Sequence, residues 1–297
     1  LDGMTAKGEL FVDYGRETPR GTASLATDLL TLDPYLSSPQ NSGAGADQKA
    51  DPTWKIAALN FAGLKGVNGA MALAARSVKW GEIEIGSVDI SSDLRDGVLE
   101  TRFQNGSLYG GAGSVKLVLD GSQEVSALRM AVDGRGLKGE AFFTDFAGLD
   151  WLGGATGLQA TLSASGRNQR EMMSTLKGNF TLEISNGEMR GVDILDTVSK
   201  VSSAVVNGWG KDPRRLTAID QAMATFVIED GVAKTSDIRL QSPLFEITGG
   251  GEMDMLRRAL YFKFRPLLVT GDEVAAELPV DIVVEGLWNK PRIYPDV

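Results

Sequence analysis

The chain has neither cysteine nor histidine in its 297 residues. Without thiols it forms no disulfide and no thiolate metal site, and its redox compartment leaves no mark on the sequence. Without imidazole it lacks the usual general base near neutral pH, the commonest metal ligand, and every Ser-His or Cys-His catalytic pairing. Paired carboxylates, Ser-Lys dyads and all-oxygen metal sites survive this exclusion, but no spacing in the chain points to any of them. Basic residues are in deficit, 30 against 39 acidic, for a net charge of -9 and a pI near 4.8. That balance argues against nucleic acid, which is held through its phosphate backbone. No run approaches the roughly 18 apolar residues of a membrane-spanning helix. The opening Leu1-Asp2-Gly3 carries neither an initiator Met nor a signal peptide. The chain reads as a soluble, non-catalytic fragment without cofactor or metal, with any membrane anchor lying upstream.

What the sequence does contain is alternation. Leu158, Ala160, Leu162 and Ala164 share one parity while Gln159, Thr161 and Ser163 share the other, the pattern of a strand with one apolar face. Between such runs stand Asp96-Gly97, Asn105-Gly106, Asp120-Gly121, Asp133-Gly134, Asn186-Gly187 and Asp230-Gly231, pairs that tolerate the positive φ of type I′ hairpin turns. The expected fold is mainly β: an elongated, twisted antiparallel sheet of many hairpins, curled or groove-like, with two or three short helices packed on it.

Along the chain, residues 1–36 read as opening strands and 37–53 as a flexible linker, poor in large apolar side chains and unable to offset its ordering entropy. Residues 54–166 read as a β-meander forming a first sheet unit, 167–213 as a helical insertion with one strand, and 214–297 as a second sheet unit. Within the insertion, Asn168 and Glu171 form a capping-box pattern ahead of Met172, Met173 and Leu176, with Gly178 as the stop. A longer amphipathic helix follows Asp193, carrying Ile194, Val198, Val201 and Val205 at helical spacing, a stripe that suits a lid packed on the sheet. Gly110-Gly111 and Gly249-Gly250-Gly251 lack the strand-to-helix setting of a phosphate loop and read as turns or bulges. Asp145 and Asp150 read as loop carboxylates rather than an acid–base pair.

Four segments, in order, resemble the C-terminal region of the AsmA family: Leu30-Thr-Leu-Asp-Pro-Tyr-Leu36 before the linker; Gly63-Leu-Lys-Gly-Val-Asn-Gly-Ala70 with the strands up to Leu108-Tyr-Gly-Gly111; Gly178-Asn-Phe-Thr-Leu-Glu-Ile-Ser-Asn-Gly-Glu-Met-Arg-Gly-Val-Asp193; and Val284-Glu-Gly-Leu-Trp-Asn-Lys-Pro291 with Pro295-Asp296, after Ser242 to Gly249. The resemblance implies a Gram-negative envelope protein related to bridge-like lipid transfer proteins, with a periplasmic body tethered to the inner membrane by an N-terminal anchor. It also implies an apolar β-groove for phospholipid transport and support of outer-membrane assembly. The partners it implies are phospholipid acyl chains, and outer-membrane assembly or other envelope proteins.

On this reading the groove lining is drawn from Leu158, Leu162, Phe180, Leu182, Ile184, Phe226, Ile228, Leu260, Phe262 and Phe264. The residues by themselves leave open whether these side chains line an open groove or fill a closed core. Two other functions stand beside the lipid groove: a scaffold that pairs with envelope proteins through exposed strand edges, and a carboxylate-dependent hydrolase acting on envelope glycans.

Overall fold

The computed structural model describes residues 5–15, 17–31, 54, 59, 61–80, 83–147, 149–190, 206–207, 216–270, 273–277, 281–288 and 290–296. The chain divides into two units, the first of Leu1–Gly136 with Gln159–Lys177, the second of Leu137–Leu158 with Gly178–Val297. The expected lid helix, with Ile194, Val198, Val201 and Val205, lies outside the described residues, as does the 37–53 linker.

The first unit contains β1 (Ala6–Asp13), β2 (Arg20–Thr31), β3 (Asn68–Trp80), β4 (Ile83–Ile85), β5 (Val88–Arg95), β6 (Val98–Leu108), β7 (Gly111–Asp120) and most of β8 (Ser126–Lys138). They form one ladder in the order β1-β2-β3-β5-β6-β7-β8, with β4 paired to the end of β3. Every pairing is antiparallel except β2 with β3, which run parallel in register from Arg20↔Asn68 onward. The expectation of a wholly antiparallel sheet is corrected at that one ladder: alternation fixes which face a side chain takes, not which way its neighbour runs.

Register sorts the two faces. Leu25, Leu73, Ile90, Phe103, Val115 and Val132 are successive ladder partners across six strands. Leu73, Ala75, Val78, Val88 and Ile90 are buried at the centre, with Leu25, Leu30 and Phe103 packed against them. The opposite parity carries Ser24, Ala72, Ser91, Arg102 and Lys116, and there Lys116 and Arg102 both pair with Glu100.

The second unit contains α1 (Gly139–Ala147), the first half of β9 (Leu152–Gly166), β10 (Lys177–Arg190), β11 (Val206–Asn207), β12 (Leu216–Glu229), β13 (Val232–Gln241), β14 (Phe245–Asp254), β15 (Ala259–Thr270), β16 (Glu273–Glu277), β17 (Asp281–Leu287) and β18 (Lys290–Asp296). Its ladder runs β10-β12-β13-β14-β15-β17-β18-β11, all antiparallel, with β16 on the end of β15.

Two α-helices lie among the described residues. α2 (Gln169–Ser174) starts as the sequence predicts, with Asn168 Oδ1 accepting from the Glu171 N–H at 2.9 Å and Glu171 Oε2 accepting from the Arg167 N–H at 2.8 Å. It ends earlier than expected, at Thr175, and Gly178 belongs to β10. α1, not expected from the sequence, buries Phe142 and Phe143. Its Glu140 is joined to Arg190 at the end of β10 at 2.7 Å.

Several expected turns are something else. Asp96-Gly97 and Asp230-Gly231 do form positive-φ hairpins, at φ 50° and 84° and at 48° and 79°. Asn105-Gly106 instead lies within β6, where the ladder shifts register between Phe103 and Gly106, and the reversal comes at Tyr109-Gly110. Asn186 (φ 49°) sits inside β10, and Asp133-Gly134 pairs with Ser114 and Gly113 inside the β7–β8 ladder. The reason is physical: a positive-φ residue serves a bulge as well as a hairpin turn, and the dipeptide does not say which. The Gly249–Gly251 triplet is likewise mid-strand, opposite Phe264, Lys263 and Phe262.

An apolar face and the candidate functional site

In the second unit the ladder places the expected lining residues of β10, β12 and β15 on one face, and Leu158 and Leu162 lie on β9, which pairs with β10. Phe180 is the direct partner of Phe226, Leu182 of Ala224 and Ile184 of Ala222. Ile228, Ala233, Met253 and Leu260 form a second row, and Thr235, Gly251, Phe262, Val284 and Ile293 a third. Phe264 stands between Gly249 and Ile282 on the same face. Ile184, Phe226, Ile228, Ala233, Val284 and Ile293 are buried, whereas Phe180, Leu182, Leu260, Phe262 and Phe264 are half-buried. Leu158 and Leu162 are half-buried too, the first in the second unit and the second in the first.

A bulge keeps this face apolar. Between Thr235 and Ile238 the β13–β14 register slips by one residue, and β12–β13 slips at the same level. Ile238 and Leu240 therefore stay on the side of Ala233 and Thr235 although their parity in sequence has changed. The Asp237 carboxylate fills the gap, accepting from the Thr225 N–H at 2.9 Å and the Thr235 hydroxyl at 2.8 Å. These bonds hold its pKa below the ordinary carboxylate value, the Thr225 amide contributing most.

The phenylalanines touch across the strands. Phe180 and Phe226 stack at 4.5 Å between centroids, Phe226 meets Phe262 edge-on at 6.3 Å, and Phe262 lies 6.0 Å from Phe264. β12 and β15 are three strand steps apart, about 14 Å in a flat sheet, so the 6.3 Å between the Phe226 and Phe262 rings is closer than a flat sheet would bring them. Glycine makes the room: a Cβ on Gly251 would stand 2.6 Å from Phe262 Cδ1, and one on Gly249 would stand 2.8 Å from Phe264 Cδ1.

The other face is charged. Asp281 accepts from Arg265 Nε and Nη2 at 3.0 and 3.1 Å and pairs with Lys263 at 3.3 Å, while Lys263 also pairs with Asp296. Arg292 pairs with Glu285, Lys234 with Glu252 at 3.7 Å and Arg239 with Glu246 at 3.6 Å. The Arg265 hydrogen bonds lower the Asp281 pKa, assisted by Lys263 and opposed by desolvation. Val283 is buried on this side, 2% exposed between its ladder partners Lys263 and Tyr294.

Among the described residues no cluster of three or more potential metal-ligating side chains occurs, and no helix is long and apolar enough to cross a membrane. Asp145 lies in α1 and Asp150 in the turn after it. Sequence reasoning missed the apolar row of the first unit. Its signal was present in the alternation of Val115, Leu117 and Leu119 and of Leu128, Met130 and Val132, which pair with one another.

Comparison with known proteins bears on residues that include most of this framework. Protein AsmA of Escherichia coli (strain K12) is 21% identical over 243 residues, 77% of this chain and 39% of that protein's length. The chain thus spans well under half of that relative. No solved structure matches. The model of the AsmA family matches residues 36–238, taking in the segments at Gly63–Ala70 and Gly178–Asp193 but not the one at Val284–Asp296, and by that match the chain belongs to the AsmA family.

Proposed function

We propose that this chain is a non-catalytic envelope segment whose apolar sheet faces shelter phospholipid acyl chains on their way between inner and outer membrane, in support of outer-membrane assembly. The observation that carries the reading is the sorting of side chains in each unit. Within each unit the strands form a continuous ladder with one apolar and one charged face, and half-buried Phe180, Leu182, Leu260, Phe262 and Phe264 remain on the apolar side of the second. A sandwich covers such a face with a second sheet; a lipid carrier covers it with its cargo. Each methylene moved from water onto that face contributes about 0.8 kcal/mol, so partial cover of one tail already gives useful affinity. Lipid headgroups stay in water, which is why neither cofactor nor reactive side chain is needed. Family membership supports the envelope setting, and an inner-membrane tether with a periplasmic body belongs to the same proposal.

The test is to purify the folded protein without detergent and look for co-purifying phospholipid by native mass spectrometry and lipid extraction. Bound phospholipid, lost when Phe180 and Leu182 are replaced by Asp, is expected. Lipid-free protein that also takes up none from vesicles would overturn the reading.

One observation favours a second reading, an edge-pairing scaffold. β1 is laddered to β2 on one side, and it presents apolar side chains in both directions, Leu10 73% and Phe11 67% exposed. Crosslinking in envelope extracts separates the two: a scaffold traps protein at β1, whereas a lipid carrier traps acyl chains on several strands.

A further inference from the structure

We infer that β1 pairs with β1 of a second copy of this chain, antiparallel and centred on Gly8, an association independent of lipid carriage that gives the open edge one specific partner. β1 is laddered to β2 along one side, from Ala6↔Thr27 to Asp13↔Arg20. Its other side stands open among the described residues. Every residue from Thr5 to Phe11 is exposed, and Gly8, which has only backbone to show, is exposed with them. An edge of this kind offers unpaired N–H and C=O groups to any passing strand, and proteins commonly blunt it with charge. β1 carries such charge at Lys7 and Glu9, and their placement selects the strand that can join.

Two copies of one strand related by a two-fold axis normal to the sheet oppose residues of the same parity, so only a few registers exist. Centred on Lys7, the pairing sets lysine against lysine. Centred on Glu9, it sets carboxylate against carboxylate, and like charges directly opposite one another are destabilising. Centred on Gly8, it sets Lys7 against Glu9 of the second copy, twice over, on one face, and Ala6 against Leu10 of the second copy, twice over, on the other. Centred on Leu10, it needs Asp13 for Lys7, but the Asp13 carboxylate already accepts from the Gly15 N–H at 2.9 Å, and Glu9 is left facing Phe11. The Gly8 register uses exposed residues throughout and matches both charges.

Gly8 suits the axis for a separate reason. A Cβ there would collide with the Ser24 carbonyl oxygen, so the position admits no side chain, and none has to pass its own image at the axis. The symmetry also keeps like faces together. Gly8 and Leu10 share the parity of their ladder partners Leu25 and Ala23, the face on which Leu73 is buried. The apolar face of one copy therefore continues into that of the other, and Leu10, 73% exposed, gains cover from Ala6 of the second copy.

One strand edge buries less than the about 1,600 Å² of a typical stable complex, so the dimer forms only as concentration rises. The experiment is sedimentation velocity of the whole chain over a concentration series, run on the unchanged chain, on Lys7→Glu, on Glu9→Lys and on an equal mixture of the two variants. Both side chains are exposed, so the substitutions leave the fold intact. The unchanged chain should pass from monomer to dimer. Each single substitution makes both cross-strand pairs repulsive and should weaken self-association by about tenfold or more. The mixture should dimerise again, because the variant with carboxylates at both positions then faces the one with ammonium groups at both. The Lys7→Glu/Glu9→Lys double variant should self-associate like the unchanged chain. An unchanged chain that stays monomeric, a Glu9→Lys variant that associates as strongly as the unchanged chain, or a mixture that fails to recover overturns the pairing. Each of these leaves the lipid-carrier reading standing, since its phenylalanines lie in the second unit.

Discussion

The sorting of side chains onto two faces can be tested at adjacent residues of β12. Phe226 is 8% exposed, stacked on Phe180 at 4.5 Å and edge-on to Phe262 at 6.3 Å. Val227, its neighbour in sequence, points to the charged face and is 54% exposed. Phe226→Ala removes a buried ring and leaves a cavity, a loss of about 3–5 kcal/mol, of which each broken aromatic pair accounts for about 0.5–1.5 kcal/mol. With a urea slope of about 2 kcal/mol per molar, the midpoint of the second unit's transition should fall by about 2 M. Val227→Ala should move it by no more than about 0.3 M, the effect of a surface change of about 0.5 kcal/mol. The assay is urea unfolding followed by far-UV circular dichroism, with hydrogen exchange of β12 amides to assign the transition. Equal shifts for the two variants, or a larger one for Val227→Ala, would refute the assignment of faces, and with it the apolar lining.

Further consequences can be checked in the same way. Gly251→Ala should destabilise the β14–β15 ladder, because the added Cβ would crowd the Tyr261 carbonyl as well as the Phe262 ring. Overpacking of this kind costs about 1–3 kcal/mol, readable as faster exchange of the Phe262 and Phe264 amides, and unchanged exchange would count against the packing of that ring on the glycine. Asn168→Ala removes the cap of α2 and should cost about 1 kcal/mol, whereas Asn168→Ser, which keeps an acceptor for the Glu171 N–H and sets no second carboxylate beside Glu171 Oε1, should cost little; equal losses would show that the cap is idle. Asp281 has a lowered pKa through Arg265 and Lys263. Its stabilising contribution is therefore complete above the unfolded carboxylate value and lost as pH falls through the lower folded value. Asp281→Asn should flatten the acid limb of the stability profile below about pH 4, and an unaltered limb would contradict the assignment.

Much of the apolar face was legible in the sequence because period-2 alternation maps directly onto a face. Phe180, Leu182 and Ile184, or Leu260, Phe262 and Phe264, need no knowledge of their partners to be placed together. What joins them was not legible. The contact between Phe226 and Phe262 depends on which strands become neighbours and on a glycine in a third strand, both non-local. The bulge at Ser236-Asp237 hides Ile238 and Leu240 from a strict count of parity, and Asp237 discloses its role only when Thr225 is beside it. Turns were over-read for a related reason. Asn105 and Asn186 adopt the positive φ that their residue type favours, but the flanking strands extend through them. Tyr109, an unusual turn residue, was passed over. α1 was missed because its Phe142-Phe143 doublet supports a buried strand as readily as a short helix.

The parallel ladder between β2 and β3 bears on the order in which the first unit assembles. β5 to β8 follow one another through short reversals, so each can zip onto its predecessor soon after both have formed. β2 meets β3 across residues 32–67, and it brings β1 with it as a ready-made hairpin. Closing that longer loop costs entropy before any hydrogen bond returns it. The β1–β2 hairpin is thus the piece of this sheet best placed to dock last, an order that leaves Leu73 and Ala75 uncovered while β5 to β8 are already paired.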